Sequence, residues 1–351
     1  MSDFFKTLAS TVDNEFAQCA DEGIAAGDVD EYIDTGSYVL NALVSGSLFK
    51  GFPKNKITAL AGEQGTGKTF FCLSTVASFL NAHKESGVFI FESESALTKQ
   101  ILVDFGIDTK RVWIFPVETV QQFRNQALTI ADNYLKQDAK SRKPVLMVLD
   151  SLGMLSTSKE MEDVAAGKDT RDMTRAQLIR GAFRVLTLKL GKAGIPLLVT
   201  NHTYQTMDLF SKTEMGGGNG LKYAASSIIY LSKKKEKDGT EHVGNIVHCK
   251  MAKGRLTREG SSIDTFISFA SGLDRWYGLA SLAIDADIFK KAGTKIETPQ
   301  GTVFGKAIKK DPEKFFTKEV MEQLDSYCQK RFCYGTMEEI ETESETEENN
   351  E

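Results

Sequence analysis

Gly62-Glu63-Gln64-Gly65-Thr66-Gly67-Lys68-Thr69 stands between a short apolar run, KITALA at residues 56–61, and an amphipathic stretch beginning at Thr69. The octet fits G-x-x-x-x-G-K-[ST], and a strand before it with a helix after it is the context that gives the pattern meaning. Glycines let backbone N–H groups turn inward onto phosphate oxygens. A helix starting near Gly67 adds unpaired N–H groups and the positive end of its dipole. Lys68 can reach β and γ oxygens, and the Thr69 hydroxyl suits Mg2+. The phosphate-binding assignment therefore covers Gly62, Glu63, Gln64, Gly65, Thr66, Gly67, Lys68 and Thr69, and extends to Phe70.

Outward from this loop, short apolar runs alternate with amphipathic segments. Runs at 57–61, 88–91, 112–115, 145–149 and 195–200 are separated by helical patterns at 69–80, 97–105, 120–137 and 174–190. Such alternation predicts an α/β fold with a mostly parallel sheet covered on both faces. Later runs at 227–231, 244–250 and 263–269 have no helices between them and read as antiparallel additions, with a hairpin turn at Asp238–Gly239. Residues 2–26 carry a loose helical pattern of roughly three turns, an N-terminal arm. Beyond Asp274 a small α-rich domain is expected, with helices at 278–291 and 317–329. The organisation read is an arm (1–30), a core (31–272), a small C-terminal domain (273–335) and an acidic tail (336–351).

Composition narrows the class. Of 351 residues, 43 are Lys or Arg and 48 are Asp or Glu, for a net charge of −5. Residues 338–351 hold eight glutamates and no base, so the remainder carries +3. Such a tail cannot bury apolar surface and is expected to be disordered, serving either solubility or electrostatic competition with a polyanion. Five scattered cysteines (Cys19, Cys72, Cys249, Cys328, Cys333) without zinc spacing read as reduced thiols. No apolar run nears the ~18 residues of a membrane span, and no basic flank precedes a greasy stretch at the start. A cytoplasmic protein without membrane contact is expected, and a disulfide scaffold or zinc module is not.

Other residues belong near the phosphate loop. Asp150 ends the buried run 143–150, where an acid suits the Mg2+ shell. Glu92 and Glu94 lie two apart at the end of the run 88–91, on one face of an extended strand. Either could be the base that orients a water, and spacing alone does not choose, although Glu94 lies further toward the sheet edge. Asn201 and His202 follow the run 195–200 and could report γ-phosphate to the loop beyond. Segments 157–172 and 204–220 are neither apolar nor regular, as functional loops often are. Gly216, Gly217, Gly218 and Asn219, with Gly220, allow close backbone approach to a ligand. Arg171, Arg175, Arg180 and Arg184 form pairs four apart, and no carboxylate lies between Asp172 and Asp208. They are either a solvated basic face or a track for a phosphodiester backbone. Lys250 and Lys253, taken alone, are either surface lysines or functional ones.

GEQGTGKT, ESESAL, VLMVLDSLG, LLVTNHTY and MGGGNGLKYAAS occur in this order over about residues 30–270. By these motifs the chain resembles the RecA recombinase family. DMTRA followed by FRVLT, and NHTYQTMDLFSKTEMGGGNG, resemble its UvsX branch in T-even-type bacteriophages. The resemblance implies a RecA-like P-loop ATPase that uses ATP and Mg2+ and assembles as a helical homo-oligomeric filament on single-stranded DNA. It implies pairing with double-stranded DNA by strand exchange, in recombination, repair and replication. By position it assigns Lys68 and Thr69 to phosphate and Mg2+, Asp150 to the second metal-associated motif and Glu94 to water activation. His202 stands where bacterial RecA has a glutamine. Segments 157–172 and 204–218 match the two DNA loops, and Arg180 and Arg184 match backbone-contacting helix positions. Lys250 and Lys253 match a pair that enters the neighbour's ATP site. The base-packing tyrosine of RecA is replaced by Ile101. A single-strand-binding protein and a recombination mediator are the implied accessory partners, in a host cytoplasm. Two other readings share these motifs: a ring ATPase or helicase, which usually carries an arginine finger, and a non-catalytic regulator, which often loses the glutamate or the lysine.

Overall fold

The computed structural model describes residues 3–14, 19–24, 26–168, 172–205 and 213–335. The first half runs α1 (Asp3–Ser10), β1 (Tyr32–Ile33), α2 (Tyr38–Ser45), β2 (Phe52–Pro53), β3 (Ile57–Gly62), α3 (Lys68–Ala82), β4 (Gly87–Glu92), α4 (Lys99–Asp104), β5 (Val112–Pro116), α5 (Val120–Leu135) and β6 (Val145–Asp150). It continues through α6 (Ser158–Ala165), α7 (Arg175–Ala193), β7 (Leu197–Gln205), β8 (Thr213–Met215), α8 (Asn219–Ala224), β9 (Ser227–Asp238), β10 (Glu241–Gly254), β11 (Ser262–Ser268) and β12 (Gly272–Leu273). The last part holds α9 (Leu279–Asp285), β13 (Lys290–Ala292), β14 (Lys295–Thr298), β15 (Gly301–Phe304), α10 (Gly305–Lys310), α11 (Pro312–Phe315) and α12 (Lys318–Phe332).

A ten-stranded sheet has the order β12-β11-β10-β9-β3-β7-β6-β4-β5, with β8 paired to β7. From β9 through β5 every pairing is parallel, and β10, β11 and β12 add antiparallel strands beyond β9. The apolar residues of β3 alternate between two cores, as strand periodicity requires. Leu60 joins the side packed by α2, α3 and the C-terminal helices, while Ile57, Ala59 and Ala61 join the side packed by α5, α7 and α8. A strand buried on both faces needs a continuous apolar run, and β3 is buried throughout.

Four details differ from the sequence reading. The arm's helix α1 spans Asp3–Ser10, about two turns, and a short 3-10 turn follows at Ala20–Glu22. The hairpin of β9 and β10 turns at Gly239–Thr240, one residue later than expected, since Asp238 still pairs with Glu241. The segment 157–172 is not wholly irregular, because Thr157 and Glu160 form a reciprocal capping box that starts α6. The helix expected over 278–291 stops at Asp285, and a three-stranded antiparallel sheet, β13-β14-β15, follows. Gly293, at φ +63°, turns the two-residue β13–β14 connection. The C-terminal region shares its apolar core with the body: Phe315, Leu324 and Phe332 cluster with Val39, Leu43 and Phe79. No helix among the described residues is long and apolar enough to cross a membrane.

Candidate functional site

The loop between β3 and α3 is shaped by backbone requirements. Gly65 and Gly67 take φ of +72° and +91°, the left-handed region that glycine enters without a Cβ penalty. A Cβ on Gly62 would come within 2.6 Å of the Leu231 carbonyl and 2.7 Å of Thr66 Oγ1. The Lys68 ammonium is buried and donates to the carbonyls of Gly62 (2.9 Å) and Glu63 (3.0 Å). Burial pushes its pKa down; the carboxylates of Glu94 and Asp150 act against that and do not cancel it. A glycine cradle with a desolvated ammonium at a helix N-terminus fits a nucleotide's phosphates.

Asp150 ends β6 in the same crevice. Thr69 Oγ1 donates to Asp150 Oδ2 at 2.7 Å, and Thr200 Oγ1 donates to Oδ1. Burial raises the Asp150 carboxyl above the usual range, with the two hydroxyl bonds opposing. The hydroxyl and carboxylate of Thr69 and Asp150 are hard oxygen donors of the kind Mg2+ takes, with water and phosphate completing its shell. Among the described residues no cluster of three or more His, Cys, Asp or Glu forms an all-protein metal cage.

Geometry separates the two glutamates. β4 ends at Glu92, so Glu94 lies past the strand and the pair does not share a strand face. The buried Glu92 carboxylate accepts from the backbone N–H of Glu94 (3.0 Å), Ser95 (2.8 Å) and Ala96 (2.9 Å), which occupies it with the turn. Glu94 Oε1 instead accepts from Ser151 Oγ at 2.6 Å and lies 3.2 Å from His202 Nε2. Burial acts to raise the Glu94 carboxyl, but the bonds from Ser151 and His202 outweigh it and hold it below the usual range.

His202 lies on β7, opposite Gly62 of β3. Its carbonyl accepts from the Gly216 N–H at 3.0 Å, and Asn201 Nδ2 donates to the Gly216 carbonyl at 2.8 Å. The Asn201–His202 pair thus touches Glu94 on one side and the glycine segment on the other. A Cβ on Gly153 would meet His202 Cδ2 at 2.9 Å, so Gly153 is needed beside the imidazole. Sequence reading missed Gly153, Ser151 and Thr200. The last two adjoin residues it did select, which is the only signal the chain offers.

The basic and glycine-rich residues divide. Arg171 and residues 206–212 of the second segment lie outside the described residues. Arg175 is engaged within the protein: it donates to the carbonyls of Leu155 (2.9 Å), Gly153 (3.0 Å) and Leu152 (3.3 Å). Arg180 and Arg184 are exposed on α7, with Arg180 over the Tyr223 ring at 5.9 Å. Gly217 and Gly218 have φ of +83° and +72°, and Asn219 begins α8. Gly220 packs against α7, where a Cβ would sit 2.6 Å from Arg180 Cα, so its role is close helix approach. Asp172 ties the ends of the first segment, accepting from Thr157 Oγ1 (2.7 Å) and Thr174 Oγ1 (2.7 Å). The Thr157 bond, with those from Thr174, holds its carboxyl below the usual range. Between the segments lies a cleft of about 670 Å3 lined by Met154, Met173, Arg175, Tyr204 and Gly216–Gly218.

The remaining assignments lie apart. Lys250 is exposed on β10, and Lys253 donates to the carbonyls of Lys222 (2.6 Å) and Tyr223 (3.2 Å) at the end of α8. Phe70 is partly exposed and meets Phe105 edge-on at 5.1 Å, while Ile101 packs on the core.

A profile of the RecA N-terminal domain matches residues 12–274. The chain is 32% identical to the recombination and repair protein of Enterobacteria phage T4 over 248 residues, 70% of this chain and 62% of that protein. It is 28% identical to Protein RecA of Corynebacterium efficiens, over 80% of this chain and 70% of that one. With Protein RecA of Chloroherpeton thalassium the identity is 29%, over 83% and 81%. The T4 match thus spans less than two thirds of that relative. A glycine cradle on β3, an acid ending β6 and a profile running through most of the sheet agree: this chain belongs to the RecA family.

Proposed function

We propose that the protein is an ATP-dependent DNA recombinase that forms helical filaments on single-stranded DNA and catalyses homologous pairing and strand exchange. The observation that carries the reading is the continuous set of contacts Ser151–Glu94–His202, with the His202 backbone bonded to Gly216. It joins a catalytic carboxylate at the phosphate crevice to the segment that would hold DNA.

In this reading Gly62–Thr69 bind the ATP phosphates and Lys68 leaves its two loop carbonyls for phosphate oxygens. Thr69 and Asp150 would hold Mg2+, which when bound screens the charge of the β and γ oxygens. Glu94, ionised by its hydrogen bonds, orients and deprotonates the attacking water. Asn201 and His202 transmit the state of that crevice to Gly216 and the segment 204–220. Arg180, Arg184 and the backbone of Gly216, Gly217, Gly218 and Asn219 grip the DNA backbone and leave bases free to pair. Arg175 supports this grip by fixing the loop carbonyls rather than by contact with DNA. Lys250 and Lys253 act across the interface on a neighbour's phosphates, and the arm, residues 1–30, docks neighbouring protomers. A host cytoplasm and partners of the single-strand-binding and mediator type complete the reading.

The experiment is electron microscopy of the full chain on single-stranded DNA with a slowly hydrolysed ATP analogue, paired with ATPase assays with and without DNA. Helical filaments and DNA-stimulated turnover that Lys68→Ala abolishes are expected. Closed rings would favour the helicase reading, and filaments without stimulated turnover would favour a regulator.

A further inference from the structure

The phosphate loop is held by two ammonium groups, and only one of them belongs to it. Lys68 takes the carbonyls of Gly62 and Glu63. Lys233 Nζ takes the next two, Gly65 at 2.9 Å and Gln64 at 3.3 Å. Four successive carbonyls, residues 62–65, therefore each accept from an ammonium.

The position of Lys233 follows from the sheet. β9 pairs with β3 only as far as Leu231 opposite Gly62, then continues past the end of β3. Residues two apart on a strand face the same way. Lys233 thus extends, beyond Leu231, over the loop into which β3 leads. A Cβ on Gly65 would lie 2.6 Å from Lys233 Nζ, and one on Gly67 would lie 2.4 Å from Ile267 Cδ1 of β11. One side of the loop is thereby backed by the antiparallel extension of the sheet.

In a trans peptide, the carbonyl and the N–H of the next residue point in opposite directions. Carbonyls of Gln64 and Gly65 drawn toward Lys233 leave the Gly65 N–H pointing away from it, as an anion-binding nest requires, while the Thr66 N–H bonds back to the Glu63 carbonyl at 3.4 Å. We propose that Lys233 is a positioning residue for the phosphate site: it braces the Gln64 and Gly65 peptides from the sheet extension, so the loop's N–H groups are preset and Lys68 is free to follow phosphate. This rests on the reading that the loop binds nucleotide.

The test uses the full chain with Lys233→Met, Lys233→Arg and, as a control on the alternate face of the strand, Lys234→Met. MgADP and MgATP affinities are measured by equilibrium titration, and amide hydrogen exchange at residues 65–67 without nucleotide. Removing the ammonium that makes these two hydrogen bonds, one of them long, corresponds to about tenfold in affinity. Lys233→Met should therefore bind both nucleotides about tenfold more weakly and exchange faster at residues 65–67. At saturating ATP its kcat should stay within about twofold of the parent. Lys233→Arg, which retains donors at similar reach, should recover most of the affinity, and Lys234→Met should match the parent. Parental affinity in Lys233→Met overturns the proposal, whether or not exchange changes. If the parent binds no nucleotide, the functional reading falls, and exchange at residues 65–67 alone decides the brace: unchanged exchange overturns it.

Discussion

Asp150 and Glu94 share one crevice under opposite electrostatic conditions. Burial raises the Asp150 carboxyl, whereas Ser151 and His202 leave Glu94 below its usual range. For Asp150 the folded pKa lies above the unfolded one. Its contribution to stability is thus greatest below the ordinary aspartate range and is lost as pH rises through the raised value. Asp150→Asn should therefore melt no lower than the parent at neutral pH, by about 1–2 °C higher if the gain is near 1 kcal/mol. That gain should shrink as pH falls below the folded pKa, while ATPase activity is lost at every pH; calorimetry over a pH series checks this. Glu94 has the reverse sign: its stabilisation is present above the ordinary glutamate range and is lost as pH falls through the depressed value. Glu94→Gln should slow hydrolysis by about 10²-fold or more while retaining ATP-dependent DNA binding. A wild-type rate would move the base elsewhere. Spacing made both glutamates visible and could not rank them, because what separates them is where β4 stops and which backbone N–H groups Glu92 collects.

Elements were legible where a period was long and unbroken. The runs that became β3, β4, β6 and β7 and the helices α3, α5 and α7 read directly, since burial on two faces or one fixes the pattern. Legibility failed where local hydrogen bonding decides. The capping box of Thr157 and Glu160 begins a helix inside a charged stretch that hydrophobic period calls a loop. Residues 216–220 read as one ligand-approaching run. Only tertiary packing reveals that Gly220 serves the contact of α8 with α7. Gly220→Ala should force these helices apart and cost about 1–3 kcal/mol, lowering DNA affinity more than nucleotide affinity. Denaturant melts and paired titrations would show it. Thr157→Ala removes a cap and should cost about 1 kcal/mol, read as faster amide exchange in α6.

At the scale of the whole molecule, some large apolar groups among the described residues face outward, and Phe4 and Phe5 meet each other edge-on at 5.4 Å. Phe4 and Phe5 on α1 are each 64% exposed, which suits an arm that docks elsewhere. Residues 338–351 lie outside the described residues, so their expected disorder stays a sequence reading; their eight glutamates turn a body of +3 into a chain of −5. Deleting them should raise affinity for single-stranded DNA at low salt, with the difference fading as salt screens it. Equal affinities across salt would leave solubility as the tail's role. The register of Gly62 against His202 has a consequence of its own. Neighbouring strands lie only about 4.8 Å apart, so in the proposed reading fuel gauge and thread clamp would occupy adjoining strands of one sheet. If the proposed reading holds, a relay that short has no lever arm: it would work by exchanging one hydrogen bond for another, so that each link of a polymer could let go without its neighbours being dismantled.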